Sequence, residues 1–129
     1  MATRKEVMHN LVKEEAKNLK KNATEKELKY LNFETLNPNN LFNCIYGQIG
    51  GNCDSIRSIE LQKKCCSRVY KRGGDLSDSK VNGSPKRLSR YSYWSPIEVF
   101  ITQESNKENG NNERLVKYLK GETNRLNFK

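Results

Sequence analysis

Four cysteines and one histidine are the residues whose types could carry metal or nucleophilic chemistry, and their spacing argues against both. Cys44, Cys53, Cys65 and Cys66 lie nine, twelve and one residues apart. A four-cysteine zinc site is built from C-x2-C to C-x4-C knuckles, whose short turns aim two thiolates at one ion. Neither knuckle is present. Adjacent residues on a helix point about 100° apart, so Cys65 and Cys66 could share a metal only by unwinding the backbone. The expectation is therefore no metal and no cofactor, with the thiols packing two helices. A Cys44–Cys53 disulfide is geometrically possible, but a reducing cytosol would not preserve it. His9 stands alone beside the apolar stripe of the first helix. A hydrolase of RNA or nucleotides built on it would need a Lys, a Tyr or a carboxylate as its second catalytic group. There is no G-x-S-x-G, no phosphate loop and no paired-His metal motif. The sequence reads as no enzyme, with catalytic residues none.

A second set of residues suits recognition rather than reaction. The 129 residues carry 24 Lys and Arg against 15 Asp and Glu, a formal charge of +9. The excess is uneven: +3 over residues 1–31, zero over 32–66, +5 over 67–96 and +1 over 97–129. In the richest quarter, Arg68, Lys71, Arg72, Lys86, Arg87 and Arg90 alternate with Tyr91, Tyr93 and Trp94. Cations neutralise backbone phosphates with counterion release, and aromatic faces accept unpaired bases. These nine residues are the candidate nucleic-acid-binding set, better suited to single-stranded RNA than to duplex DNA. Against this stands a plainer role, a solvated basic loop with Tyr93 and Trp94 roofing the core. No RRM, KH, zinc-finger or basic-zipper signature accompanies the set.

The elements that must position these residues are helical. Apolar residues make up 34 % of the chain, against roughly 45–50 % in an average globular domain, so the core is small. Val7, Met8, Leu11, Val12, Ala16 and Leu19 recur at helical spacing, with Thr3 and Glu6 as a capping box and Asn22 as the stop. Thr24 with Glu27 opens a second helix. Asn37-Pro38 predicts a third, burying Leu41, Phe42, Ile45 and Tyr46 and ending at Gly47, Gly50 and Gly51. Asp54 or Ser55 caps a fourth, through Cys66 and Val69. Residues 72–90 lose all periodicity and read as a long flexible basic loop. An extended piece at 91–94 leads into a helix that Ser95, Pro96 and Glu98 begin and that runs to about Thr102. A polar break over 104–112 precedes a last helix bearing Leu115, Val116, Tyr118 and Leu119, closed by Gly121. Residues 122–129 form a tail expected to fray. The fold expected is all-α, one domain over 1–129 with five to six short helices.

No run of 18 apolar residues and no secretory pattern is present, so neither a membrane partner nor export is expected, and the bacterial cytosol is the expected location. Asn and Lys together fill 32 of 129 positions, a bias toward A/T-rich codons that suggests an AT-rich bacterium or its phages. The block Cys44-Ile-Tyr-Gly-Gln-Ile-Gly-Gly-Asn-Cys53, with Arg57, Glu60, Leu61, Cys65 and Cys66, resembles small uncharacterised proteins of phages and mobile elements in Bacteroidota-like hosts. The stretches from Tyr93 to Ile101 and from Leu115 to Gly121 are similar to the same kind of protein. The resemblance carries no catalytic or binding residues. It implies a phage setting, in which small standalone domains act as inhibitors of host defence, anti-CRISPR proteins among them. A charge of +9 departs from the acidic nucleic-acid mimics. The expected function is a monomeric or weakly dimeric, non-enzymatic inhibitor that occludes RNA or a ribonucleoprotein defence complex. The alternatives are a protein–protein adaptor docking through residues 32–66, with Phe42, Tyr46 and Arg57 as anchors, and a small RNA- or nucleotide-binding protein.

Overall fold

Short polar side chains set where the helices of this chain begin. Thr3, Thr24, Ser55 and Ser95 each accept the backbone N–H three residues on, filling one donor that a helix start leaves without an intrahelical partner. Thr24 with Glu27 and Ser95 with Glu98 close complete capping boxes. The computed structural model describes residues 3–38, 43–52, 55–66, 68–71, 75–80 and 93–129. Among the described residues are seven helices: α1 (Arg4–Asn22), α2 (Glu25–Lys29), α3 (Ile45–Gly50), α4 (Ile56–Cys65), α5 (Pro96–Thr102), α6 (Glu104–Glu108) and α7 (Asn111–Leu119). The helical fold class expected from the sequence is the one observed. None of these helices is long and apolar enough to cross a membrane.

Helix α1 is the central element and packs against α4, α5 and α7. Its buried stripe is Met8, Val12, Ala16 and Leu19, and it meets Leu61 and Cys65 of α4, Ile97, Phe100 and Ile101 of α5, and Leu115 and Leu119 of α7 in one cluster. Helices α3 and α4 approach closely at Gly50. A Cβ there would lie 2.1 Å from Ser58 Oγ, so only glycine lets Ser58 Oγ donate to the Tyr46 carbonyl at 2.7 Å.

Five local readings of the helical segments change, the first being that the fourth helix ends at Cys65, with Val69 in a strand rather than on its continuation. The third helix begins at Ile45 rather than at Pro38, because the Asn37 N–H donates to the Asn43 carbonyl at 2.9 Å and turns the chain there. Its cap is Cys44, whose sulfur accepts from the Gly47 N–H at 3.1 Å. The polar break over 104–112 contains α6, joined to α7 through Gly110 in the left-handed region at φ 75°. Residues 122–129 do not fray: Lys129 N–H donates to Asn111 Oδ1 at 2.9 Å, and Asn111 Nδ2 donates to the Lys129 carbonyl at 3.1 Å. Phe128 meanwhile packs 4.5 Å from the Phe100 ring and 5.1 Å from His9.

Three short strands add a small antiparallel sheet to the helical body: β1 (Arg68–Lys71), β2 (Asp75–Lys80) and β3 (Tyr93–Trp94), in the order β2-β1-β3. Strand β3 agrees with the extended piece expected at 91–94. Strand β2 falls inside the stretch read as a loop, and the remainder of 72–90 lies outside the described residues. Lys71 pairs with Asp75 across a three-residue connection that contains Gly73 and Gly74. Such a connection is a hairpin signal that a search for apolar periodicity passes over.

Candidate nucleic-acid interface

The three strands lie within the basic quarter of the chain. Arg68 pairs with Lys80, and Lys71 sits between Asp75 on one side and Tyr93 on the other. Strands β1 and β3 are distant in sequence and hydrogen-bonded neighbours in space, so the two ends of the charge-rich segment return to one place. Among the nine candidate residues, Arg68 and Lys71 on β1 and Tyr93 and Trp94 on β3 therefore lie on two adjoining strands. Arg72, Lys86, Arg87, Arg90 and Tyr91 lie outside the described residues.

Trp94 takes the plainer role. It is 8 % exposed and belongs to the core cluster, so its ring roofs the core and offers no face for base stacking. The docking anchors of the adaptor reading are likewise used internally. Tyr46 is 1 % exposed. Arg57 donates through Nε and Nη2 to both oxygens of Glu27 at 2.8 and 2.7 Å, through Nη1 to Glu60 at 2.6 Å, and through Nη2 to the Asn22 carbonyl at 2.9 Å. It ties α2, α4 and the end of α1 together. Phe42 lies outside the described residues.

What anchors the sheet to the bundle is a residue that periodicity alone did not single out. Glu15 of α1 is buried. Its Oε1 accepts the Ile97 N–H at 2.8 Å, a first-turn donor of α5 with no intrahelical partner. Its Oε2 accepts from the Tyr46 hydroxyl and from Cys66 Sγ, the latter at 3.5 Å. Tyr46 Oη and Cys66 Sγ are themselves 2.9 Å apart. Cys66 immediately precedes the sheet segment and Ile97 follows it, so one carboxyl group on α1 holds the chain on both sides of the basic strands. Two of the thiols thus have distinct places: Cys44 caps a helix, and Cys66 belongs to a polar network.

Electrostatics match the burial. Loss of hydration raises the Glu15 carboxyl from its ordinary 4.5 to about 7, against the hydrogen bonds from Tyr46 and Ile97 that favour the charged form; the nearby Glu98 raises it further. Burial also pushes Cys65 up to about 12 and Cys66 well above the usual thiol range, so both stay protonated. The same cause lifts the Tyr46 hydroxyl. His9 is lowered, first by burial and then by Lys5 and Lys13. It packs edge-on against Phe100. No group of three or more His, Cys, Asp or Glu among the described residues is arranged to hold a metal ion. No family model matches the chain, and no curated protein or solved structure is significantly similar to it.

Proposed function

We propose that this protein is a non-enzymatic, phage-encoded inhibitor of host defence of the anti-CRISPR kind, which binds the RNA of a ribonucleoprotein effector through its basic segment and acts by occlusion in the bacterial cytosol. One observation carries the reading: antiparallel pairing of β1 with both β2 and β3 brings Arg68, Lys71, Lys80 and Tyr93 onto neighbouring strands. The described strands carry Arg68, Lys71 and Lys80 beside Asp75 and Asp78, within a segment whose net charge of +5 suits a phosphate backbone. The phage setting comes from the resemblance of the block around Cys44 to Cys53. The adaptor reading loses support with Tyr46 in the core and Arg57 spent on Glu27 and Glu60.

The test is recovery of the tagged full chain from its bacterial host, with the lysate divided into nuclease-treated and untreated halves. Mass spectrometry and RNA sequencing read both halves. The expected result is a ribonucleoprotein that co-purifies with its RNA and is lost after nuclease. A protein partner that survives nuclease, or recovery without RNA, overturns the proposal.

A further inference from the structure

Tyr30 is the exposed aromatic among the described side chains, at 59 %. It stands on an open groove of about 1110 Å3 beside the half-buried Phe33, with Lys29, Lys107 and Lys120 also on its walls. Lys29 and Lys120 continue into an adjoining recess that includes Lys20, and Lys20 Nζ lies 4.3 Å from the centre of the Tyr118 ring. The end of α2, the turn after it and α7 thus place lysines on the same surface as the exposed Tyr30 ring, outside the basic sheet.

Two features set this surface apart from scattered lysines. The first is charge left uncompensated. Glu113 of the groove is held by Lys117 at 3.3 Å and Lys107 by Glu104 at 3.8 Å, whereas Lys29 and Lys120 make no ion pair among the described residues. Glu34 in the groove and Glu25 in the recess offset part of that charge. The second is rigidity beneath the ring. Leu31 is buried. Asn32 gives its N–H to Gln48 Oε1 and takes Gln48 Nε2 on its carbonyl, both at 2.9 Å, and its side chain accepts the Glu34 N–H at 3.0 Å. The turn that carries Tyr30 and Phe33 is therefore fixed to α3 before any partner arrives, which lowers the entropy lost on binding.

We propose that this groove is a second contact for the same class of partner, holding an unpaired nucleotide of single-stranded RNA, with its base against Tyr30 and its phosphates against Lys29 and Lys120. A ring face between cations matches a ligand that alternates flat bases with anions. An acidic peptide would use the cations and leave the ring idle. The inference rests on the RNA-binding reading above and extends it to a surface made by the turn after α2 together with α6 and α7.

Fluorescence anisotropy with the full chain and a labelled single-stranded RNA of about 20 nucleotides tests both claims at once. Four variants are compared: Tyr30→Ala, Tyr30→Phe, the double reversal Lys29→Glu with Lys120→Glu, and the sheet reversal Arg68→Glu with Lys71→Glu. Tyr30→Ala is expected to weaken binding about 5-fold or more, as loss of one stacked base does, while Tyr30→Phe restores it. The groove reversal is expected to weaken binding and to flatten its dependence on salt between about 50 and 200 mM. Far-ultraviolet dichroism checks that each variant is folded, which an exposed ring allows. If wild type binds and the sheet reversal weakens it while all groove variants bind normally, the groove inference falls and the segment reading stands. If the groove variants fail and the sheet reversal binds as wild type does, the groove stands and the segment reading falls. Absence of RNA binding by wild type removes both, and equal affinity for a duplex removes the stacking role of Tyr30.

Discussion

Glu15 carries the sharpest consequence of any single residue. A carboxyl group that folding moves from 4.5 to about 7 holds its proton more tightly in the native state than in the unfolded chain. Its contribution to stability is therefore complete below about pH 4.5, declines as pH rises to about 7 and is flat beyond; a shift of this size is worth about 3 kcal/mol. Glu15→Gln keeps the size and an acceptor but cannot ionise. Urea unfolding of both proteins at about pH 5 and about pH 8 should show wild type losing roughly 2.5 kcal/mol relative to the variant. Taking the difference removes His9, whose lowered pKa acts in the opposite direction. A wild-type-minus-variant difference independent of pH would contradict the assignment. The signal for Glu15 was present in the sequence: it lies three residues after Val12 and four before Leu19, on the apolar stripe itself. Reading charged residues as solvent-facing hid it, since helical arithmetic gives a position but not the partners that make a buried carboxylate tolerable. Tyr46, Cys66 and the Ile97 N–H come from 31 to 82 residues away, a distance that no local pattern spans.

Between elements, the decisive contact is Arg57. It joins α4 to α2 and to the Asn22 carbonyl at the end of α1, and its guanidinium holds the Glu27 carboxyl down to about 2. Glu27 is 17 % exposed at its side chain and Arg57 33 %, so solvent screens this pair less than an open surface bridge. Arg57→Ala should lower unfolding free energy by about 1–3 kcal/mol, because Glu27 and the Asn22 carbonyl lose charge-assisted donors. Arg57→Lys should recover little, since one ammonium cannot reproduce the two parallel bonds to Glu27. A double-mutant cycle with Glu27→Gln measures the coupling, and additivity of the two losses would refute a direct clamp. Helices capped by a hydroxyl were legible in advance: Thr3, Thr24, Ser55 and Ser95 each mark a helix start, whereas the thiol cap of α3 at Cys44 was not. Helix α6 has no side-chain cap bond and no apolar stripe. Strand β2 reads Asp-Leu-Ser-Asp-Ser-Lys, with little β propensity. Both are held by what surrounds them, so local sequence does not announce them.

At the scale of the whole molecule, the separation of labour between core and charge decides function. Segment 32–66 is neutral and supplies the α3–α4 wall of the core, whereas 67–96 carries +5 and contributes the described strands β1, β2 and β3. That division was legible from charge summed along the chain, but the pairing that turns it into a surface was not, because β1 and β3 meet across more than twenty residues. If the segment contacts phosphates, each cation removed should subtract about 0.7 from the slope of log affinity against log salt for a single strand. Reversing Arg68, Lys71 and Lys86 together should flatten the slope by about 2 and weaken binding most at low salt, where counterion release contributes most. The melting temperature is measured alongside and should stay within a few degrees of wild type, since the described core cluster is built from apolar side chains. Unchanged slope with unchanged melting would show that the positive charge of this segment is spent on something other than nucleic acid. A flattened slope with intact melting is the outcome that only phosphate contact produces.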